Sequence, residues 1–312
     1  MHLLQVWQRG LVPGRSGKCT SASISYNQLN DIVIGTHPAD RRGCGYRNPH
    51  KTIISSGGYV SVFINDLVEE SLNHRAVHHP YLRALSDGDL PDTQWALADF
   101  ADHYYGYSLH FPRYLTTVIS KLEIPAHRGS LLENLTEESG VYGEEEYAEL
   151  AAVGVEREWI EGVPHPQLFR RFREATGITS PYSPDNEAIE LVCWREAFLG
   201  TLTYGSAAEA LGALGLGTEN IVSTIYVPFV KALSRTDLNP RDTVFFPLHT
   251  AVDDHHQEAL EEISLHFAAT PTGKGDLRRG MIKALSLRSS FWDWMYERAL
   301  TCAGASRMEL VS

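Results

Sequence analysis

From about Ser61 onward, apolar positions recur at intervals of three and four, the spacing of a helix that buries one face. The first such run is VFINDLVEESLNH. A longer one starts at Asp92, a suitable N-cap, and continues through TQWALADFADHYYGYSLHFPRYLTTVISKL. Its Trp95, Phe100, Tyr104, Tyr107, Phe111, Tyr114, Leu115 and Val118 fall on one face. Pro112 predicts a bend there, because proline removes the backbone bond to Ser108.

Helical runs follow at GSLLENLTEES, ended by Gly140; at HPQLFRRFREAT, ended by Gly177; and from Asp185 to Thr203, where Asp185 or Asn186 can cap. SAAEALGALGLG and TENIVSTIYVPFVKAL read as one interrupted helix. The last pair comprises LHTAVDDHHQEALEEISLHFAA and a segment from Asp276 to Leu300, with PTGKG as the breaker between them. No run alternates with period two for long enough to build a sheet. The expected fold is therefore all-α, a domain of about seven or eight helices over residues 61–305.

Two stretches stand apart. Residues 1–60 are rich in Gly, Ser, Arg and Asn, are interrupted by Pro13, Pro38 and Pro49, and read as an irregular N-terminal extension. Residues 141–164 form an acidic insertion in which Glu144, Glu145 and Glu146 read as a solvated face.

Composition narrows the class. The 312 residues carry 27 Lys plus Arg against 39 Asp plus Glu, a formal net charge of −12 that repels phosphate backbones, so no nucleic-acid partner is expected. Cys19, Cys44, Cys193 and Cys302 lie far apart with no C-x-x-C pair, which indicates neither a disulfide framework nor a thiolate zinc site. Cys193, in the apolar run ELVCWREAF, reads as core packing. No stretch reaches 18 uninterrupted apolar residues and no leader pattern is evident, so the expectation is a soluble, cytoplasmic protein without a membrane partner.

The most informative chemistry is His249-Thr-Ala-Val-Asp253-Asp254-His255-His256. Residues 249, 253 and 256 are spaced i, i+4 and i+7, so one helix would stack two imidazoles and a carboxylate on one face. Phe245, Phe246, Leu260 and Ile263 flank that face and imply burial, where such a row needs a compensating cation. A solvated polar helix is the other reading that this spacing allows. Asp254 and His255 fall off the row and suit outer hydrogen bonds. Glu137 and Glu138 diverge by about 100° on a helix, so one can serve the interior while the other stays wet. Glu219 is isolated among Ala, Gly, Leu, Ile and Val, an unusual place for a carboxylate unless it pairs, ligates or caps.

Together these segments resemble the heme-oxygenase-like diiron oxidases and oxygenases, also described as iron-containing redox enzymes. The resemblance spans about residues 62–300 and rests on HPYLRALSDGDL, DFADHYYGYSLHFPRYL, LLENLTEESG, HPQLFRRF, GLGTENIVSTIY and the H-x3-D-x2-H motif. It implies a heme-oxygenase-like helical bundle and a metal site built from Glu138, His165, Glu219, His249, Asp253 and His256. Asp99, Asp102 or His103 would have to replace the carboxylate that relatives carry on the first long helix, and Asp102 is the preferred candidate. Two departures are plain: the 27-residue step from Glu138 to His165 is longer than usual, and no glutamate lies between Asp92 and Leu122.

The implied cofactors are two ferrous ions, or an iron–manganese pair, with dioxygen as cosubstrate and an external electron donor as an option. The implied activity is oxidation of a small amino acid, amine or fatty acid by N-oxygenation, oxidative decarboxylation with carbon–carbon cleavage, or desaturation, in a chain compatible with a homodimer. Two alternatives are a metal-free, thiamine-degrading type of helical enzyme, which would need a cysteine nucleophile, and a non-catalytic metal-binding protein that uses residues 141–164 as its contact surface. Tyr104 and Tyr107 would line the site or pack the core, and Arg195 would anchor a substrate carboxylate or form an interhelical ion pair.

Overall fold

The computed structural model describes the backbone of residues 56–251 and 253–309, and the side chains of 60–251 and 259–302. The irregular extension expected over residues 1–60 falls almost wholly outside this range. Helices run in the order α1 (Ser56–Leu72), α2 (Pro80–Asp87), α3 (Thr93–Ser108), α4 (Phe111–Ile119), α5 (Pro125–Glu137), α6 (Glu144–Ala152), α7 (Arg157–Ile160) and α8 (His165–Ala175). They continue with α9 (Ile189–Tyr204), α10 (Ala207–Leu211), α11 (Asn220–Leu233), α12 (Phe245–Ala251), α13 (Asp253–Phe267) and α14 (Pro271–Glu309). No strand occurs among the described residues, and none of their helices is long and apolar enough to cross a membrane.

These are more segments than the seven or eight expected, because turns divide runs that look continuous in the sequence. The long aromatic run breaks at Leu109 and His110, so that Pro112 sits in the first turn of α4, where its missing N–H costs nothing. Asp92 does cap α3, accepting a hydrogen bond from Trp95 N at 2.9 Å. The helix expected to be capped by Asp185 or Asn186 begins at Ile189 instead, after a 3₁₀ turn over Pro184–Asn186. PTGKG is no breaker: Pro271 occupies the first position of α14, which proline tolerates. The segment holding the histidine motif is described as α12 and α13, and residue 252 between them lies outside the described residues.

Residues 207–233 do form one interrupted helix. Between α10 and α11, Gly212–Glu219 winds as a π-helix, all of it buried. Helix α14 lies against this segment and against α10, α9, α2 and α3. The approach is close enough that a Cβ on Gly212 would overlap the Leu277 carbonyl, and one on Gly217 would come within 2.7 Å of Ala284 Cβ. Small residues at these two positions let the long helix settle onto the π turn.

The core on the other side is aromatic. Phe100, Tyr104, Phe169, Phe229, Phe246 and Trp292 pack at ring-centroid separations such as 4.3 Å for Phe100–Phe229 and 5.2 Å for Phe229–Phe246. Of the expected face, Phe100, Tyr104, Tyr107, Tyr114, Leu115 and Val118 are buried, whereas Trp95 is 36% exposed. Arg288 of α14 is fully enclosed, with its guanidinium 5.4 Å from the Trp194 ring and 5.6 Å from that of Tyr107. Gly212→Ala should therefore lower stability by on the order of 1–3 kcal/mol, read as a reduced urea midpoint; an unchanged midpoint would contradict the close approach of α14.

Candidate metal centre

Glu138, His165 and His249 come from three separate helices and place ligand atoms within 4.8 Å of one another. The first two meet because their backbones meet. Helix α5 ends at Glu137, and Glu138 caps it with a helical φ of −55°. The first N–H of α8, on His165, has no partner inside its own helix and donates to the Glu138 carbonyl at 3.0 Å. Beside this bond, Gly162 N donates to Gly140 O at 2.8 Å. Gly140 takes φ +85°, and a Cβ there would meet Val163 N at 2.5 Å, so both conformation and space call for glycine.

The acidic insertion is thus an excursion whose two ends are bonded together. It carries α6 and α7, buries Tyr142, Tyr147, Leu150, Val155 and Ile160, and leaves Glu144 and Glu145 exposed. Glu146 turns back to cap Gly143 N. The arrangement meets the geometric demand set by the long step from Glu138 to His165.

Glu138 is buried at 5% exposure and His165 at 4%, while Glu137 is only half-buried, so the interior carboxylate of the pair is Glu138. His165 Nδ1 lies 3.0 Å from Glu138 Oε1 but makes no aligned hydrogen bond, and Nε2 lies 2.6 Å from the Tyr142 hydroxyl. His249 Nδ1 lies 2.6 Å from the Phe245 carbonyl. An acceptor there requires a proton on Nδ1, which leaves the lone pair on Nε2. The two imidazole rings meet edge to face with centroids 4.7 Å apart.

These three residues line a cavity of about 30 Å³ together with Glu219. Glu219 ends the π-helix and is 7% exposed. Tyr104, Tyr107, Ser108 and Phe111 reach the cavity from α3 and α4; Val222, Tyr226 and Phe245 complete much of the rest. Tyr104 and Tyr107 are therefore both core and lining. Tyr104 Oη lies 2.9 Å from Tyr226 Oη. Burial pushes the hydroxyls of Tyr107 and Tyr226 up, as it does that of Tyr142, where the Glu138 carboxylate adds to the effect. These groups stay protonated across the physiological range.

Among the described residues that line the cavity there is no Lys or Arg. Two carboxylates and two imidazoles of the described residues face this small volume; they suit a hard or borderline divalent cation of the iron or manganese type, and no thiolate is among them to favour copper(I) or a structural zinc. The unbonded Nδ1 of buried His165 fits a ligand atom for such an ion.

Not every expected ligand arrives here. Asp102 sits about 200° around α3 from Tyr104. It accepts from Arg173 Nε at 2.9 Å and Nη2 at 2.6 Å, and it lines a different cavity with Tyr182 and Glu187. Asp99 pairs with Arg298 and lies 3.4 Å from His103. The side chains of Asp253, Asp254, His255 and His256 lie outside the described residues.

Arg195 resolves as an ion pair with Glu187 and a donor to Gly106 O at 3.2 Å. Cys193, expected in the core, is exposed: Leu191 and Trp194 take the inward face of α9. It does not line the cavity. Thr218, Val222 and Tyr226 in the lining, and Tyr142 beside His165, are not singled out by the sequence motifs. Tyr226 had a signal, since 219, 222 and 226 are spaced i, i+3 and i+7, whereas nothing local marks Tyr142.

Alanine at Glu138, His165 or His249 should each reduce iron retained after anaerobic ferrous reconstitution, counted by metal analysis. Wild-type stoichiometry in all three variants would remove this cluster as a metal site.

Comparison with known proteins shows the family. A family model described as iron-containing redox enzyme matches residues 98–289. A 4-aminobenzoate synthase of Chlamydia muridarum is 26% identical over 206 residues, 65% of this chain and 77% of the relative. The Chlamydia trachomatis protein of the same name is 26% identical over 215 residues, 66% and 83% of the two chains. Among solved structures, a CADD-like protein of unknown function from Nostoc punctiforme superposes with a TM-score of 0.58 at 16% identity, covering 78% of this chain and 98% of its own. A TenA homolog from Pseudomonas syringae pv. tomato gives 0.55 at 16%, covering 76% and 91%. These two likenesses concern the fold alone, which is all-α and heme-oxygenase-like.

Proposed function

The chain belongs to the iron-containing redox enzyme family, and from that premise we propose that it is a dioxygen-dependent oxidase or oxygenase that works with two iron ions. The observation that carries the reading is the convergence of Glu138, His165 and His249 on a cavity that Glu219 also lines. Asp253 and His256 complete the proposed ligand set by their spacing from His249. An iron–manganese pair would use the same donors. When bound, such a pair supplies the electron-transfer and dioxygen chemistry that side chains lack.

The protein's own contribution is positioning and exclusion. The Glu138 and Glu219 carboxylates offset the charge of bound cations, and the Phe245 carbonyl holds His249 with its lone pair on Nε2. Phe111, Val222 and Phe245 form an apolar wall that keeps bulk water from the centre. The Tyr104 and Tyr226 hydroxyls, 2.9 Å apart, are among the polar groups that could orient a substrate beside it.

The two chlamydial relatives named 4-aminobenzoate synthase support a small arylamine as the product class, within the wider range of amines, amino acids and fatty acids. An external donor would supply any electrons that the substrate does not. The metal-free reading draws no support from the site, since no cysteine among the described residues lines the cavity.

Ferrous-reconstituted protein should consume dioxygen over repeated turnovers with an accepted substrate and a reductant, and His249→Ala should not. The check is dioxygen uptake with product analysis for 4-aminobenzoate and other amines. Uptake that stops after one equivalent per site across amines, amino acids and fatty acids would overturn the catalytic reading.

A further inference from the structure

His165 differs from His249 in what holds it. The His249 ring is anchored by a backbone carbonyl of its own helix, at Phe245. His165 is the first residue of α8 and is met by a side chain from the insertion, Tyr142, whose hydroxyl lies 2.6 Å from Nε2. The Tyr142 ring stacks at 22° to the imidazole, packs edge-on against Tyr147 at 5.6 Å, and is 9% exposed. Tyr142 therefore has little freedom to leave.

A neutral imidazole carries one proton, and a metal-ligating nitrogen must carry none. Nδ1 is the nitrogen on the side of Glu138, 3.0 Å from its Oε1, and a proton there would be buried without an aligned acceptor. At Nε2 the same proton has an acceptor in line, the Tyr142 oxygen. Resting on the metal-centre reading above, we propose that Tyr142 is a positioning residue: its hydroxyl oxygen accepts the Nε2 proton of His165, which fixes the ring and leaves the Nδ1 lone pair for the cation. The insertion at residues 141–164 thereby acts on the metal centre through one side chain, in addition to closing the step between two ligands.

Tyr142→Phe keeps the stacked ring and deletes only the hydroxyl. In full-length protein, anaerobic titration with Co(II) as a spectroscopic stand-in for Fe(II) should show affinity reduced by roughly 10- to 100-fold. The ligand-field bands of the cobalt form should also change, and the thermal midpoint of the metal-free protein should fall only modestly, as loss of one buried hydrogen bond requires. Wild-type affinity and bands in the variant would overturn the proposal. So would a lowered metal-free midpoint with unchanged bands, since that combination marks a packing role. Wild-type protein that bound neither Co(II) nor Fe(II) would instead sink the metal-centre reading on which the proposal stands.

Discussion

One backbone hydrogen bond, from His165 N to the Glu138 carbonyl, sets the geometry of the candidate centre. Two residues 27 apart in sequence become neighbours because the end of α5 and the start of α8 satisfy each other's backbone groups. The length between them matters little: loop-closure cost grows only logarithmically, by about 0.6 kcal/mol per doubling. What matters is that the ends stay bonded. Gly140 makes this possible through its left-handed φ and through the contact with Val163 that any larger residue would block.

Around that junction the helices supply rigidity in different ways. The π turn over Gly212–Glu219 carries Glu219 to the cavity, and α14 locks the turn from behind through the close approach at Gly212 and Gly217. A π segment shifts the residues after it relative to a regular helix, and such segments are frequent at functional sites. Beyond it, regular helical spacing keeps Glu219, Val222 and Tyr226 on one face, which lines the cavity. The stacked core of Phe100, Phe229 and Phe246 holds α3, α11 and α12 in register, so His249 on α12 faces His165 on α8.

Several charged groups that the sequence offered as candidates form ion pairs. Asp102, Asp99 and Arg195 each have a partner of opposite charge: Arg173, Arg298 and Glu187. The first two pairs tie α3 to α8 and α14, and the third joins α9 to the turn that precedes it; none of these side chains lines the cavity. A buried or half-buried charge needs compensation, and which neighbour provides it depends on distances that no single segment contains.

The helical class, the aromatic face of α3, the cap at Asp92 and the interrupted helix of 207–233 were legible in the chain, because 3.6-residue periodicity and capping chemistry are local. Glu138, His165, Glu219 and His249 were legible as candidates through the motifs that carry the family resemblance. Tertiary structure alone decided that Asp102 stays away, that Cys193 faces outward, that PTGKG opens a helix, and that Tyr142 reaches His165. The physical reason is common to these cases. Periodicity states which residues share a face, whereas the partner across that face, and with it the fate of each polar atom, is chosen by helices distant in sequence.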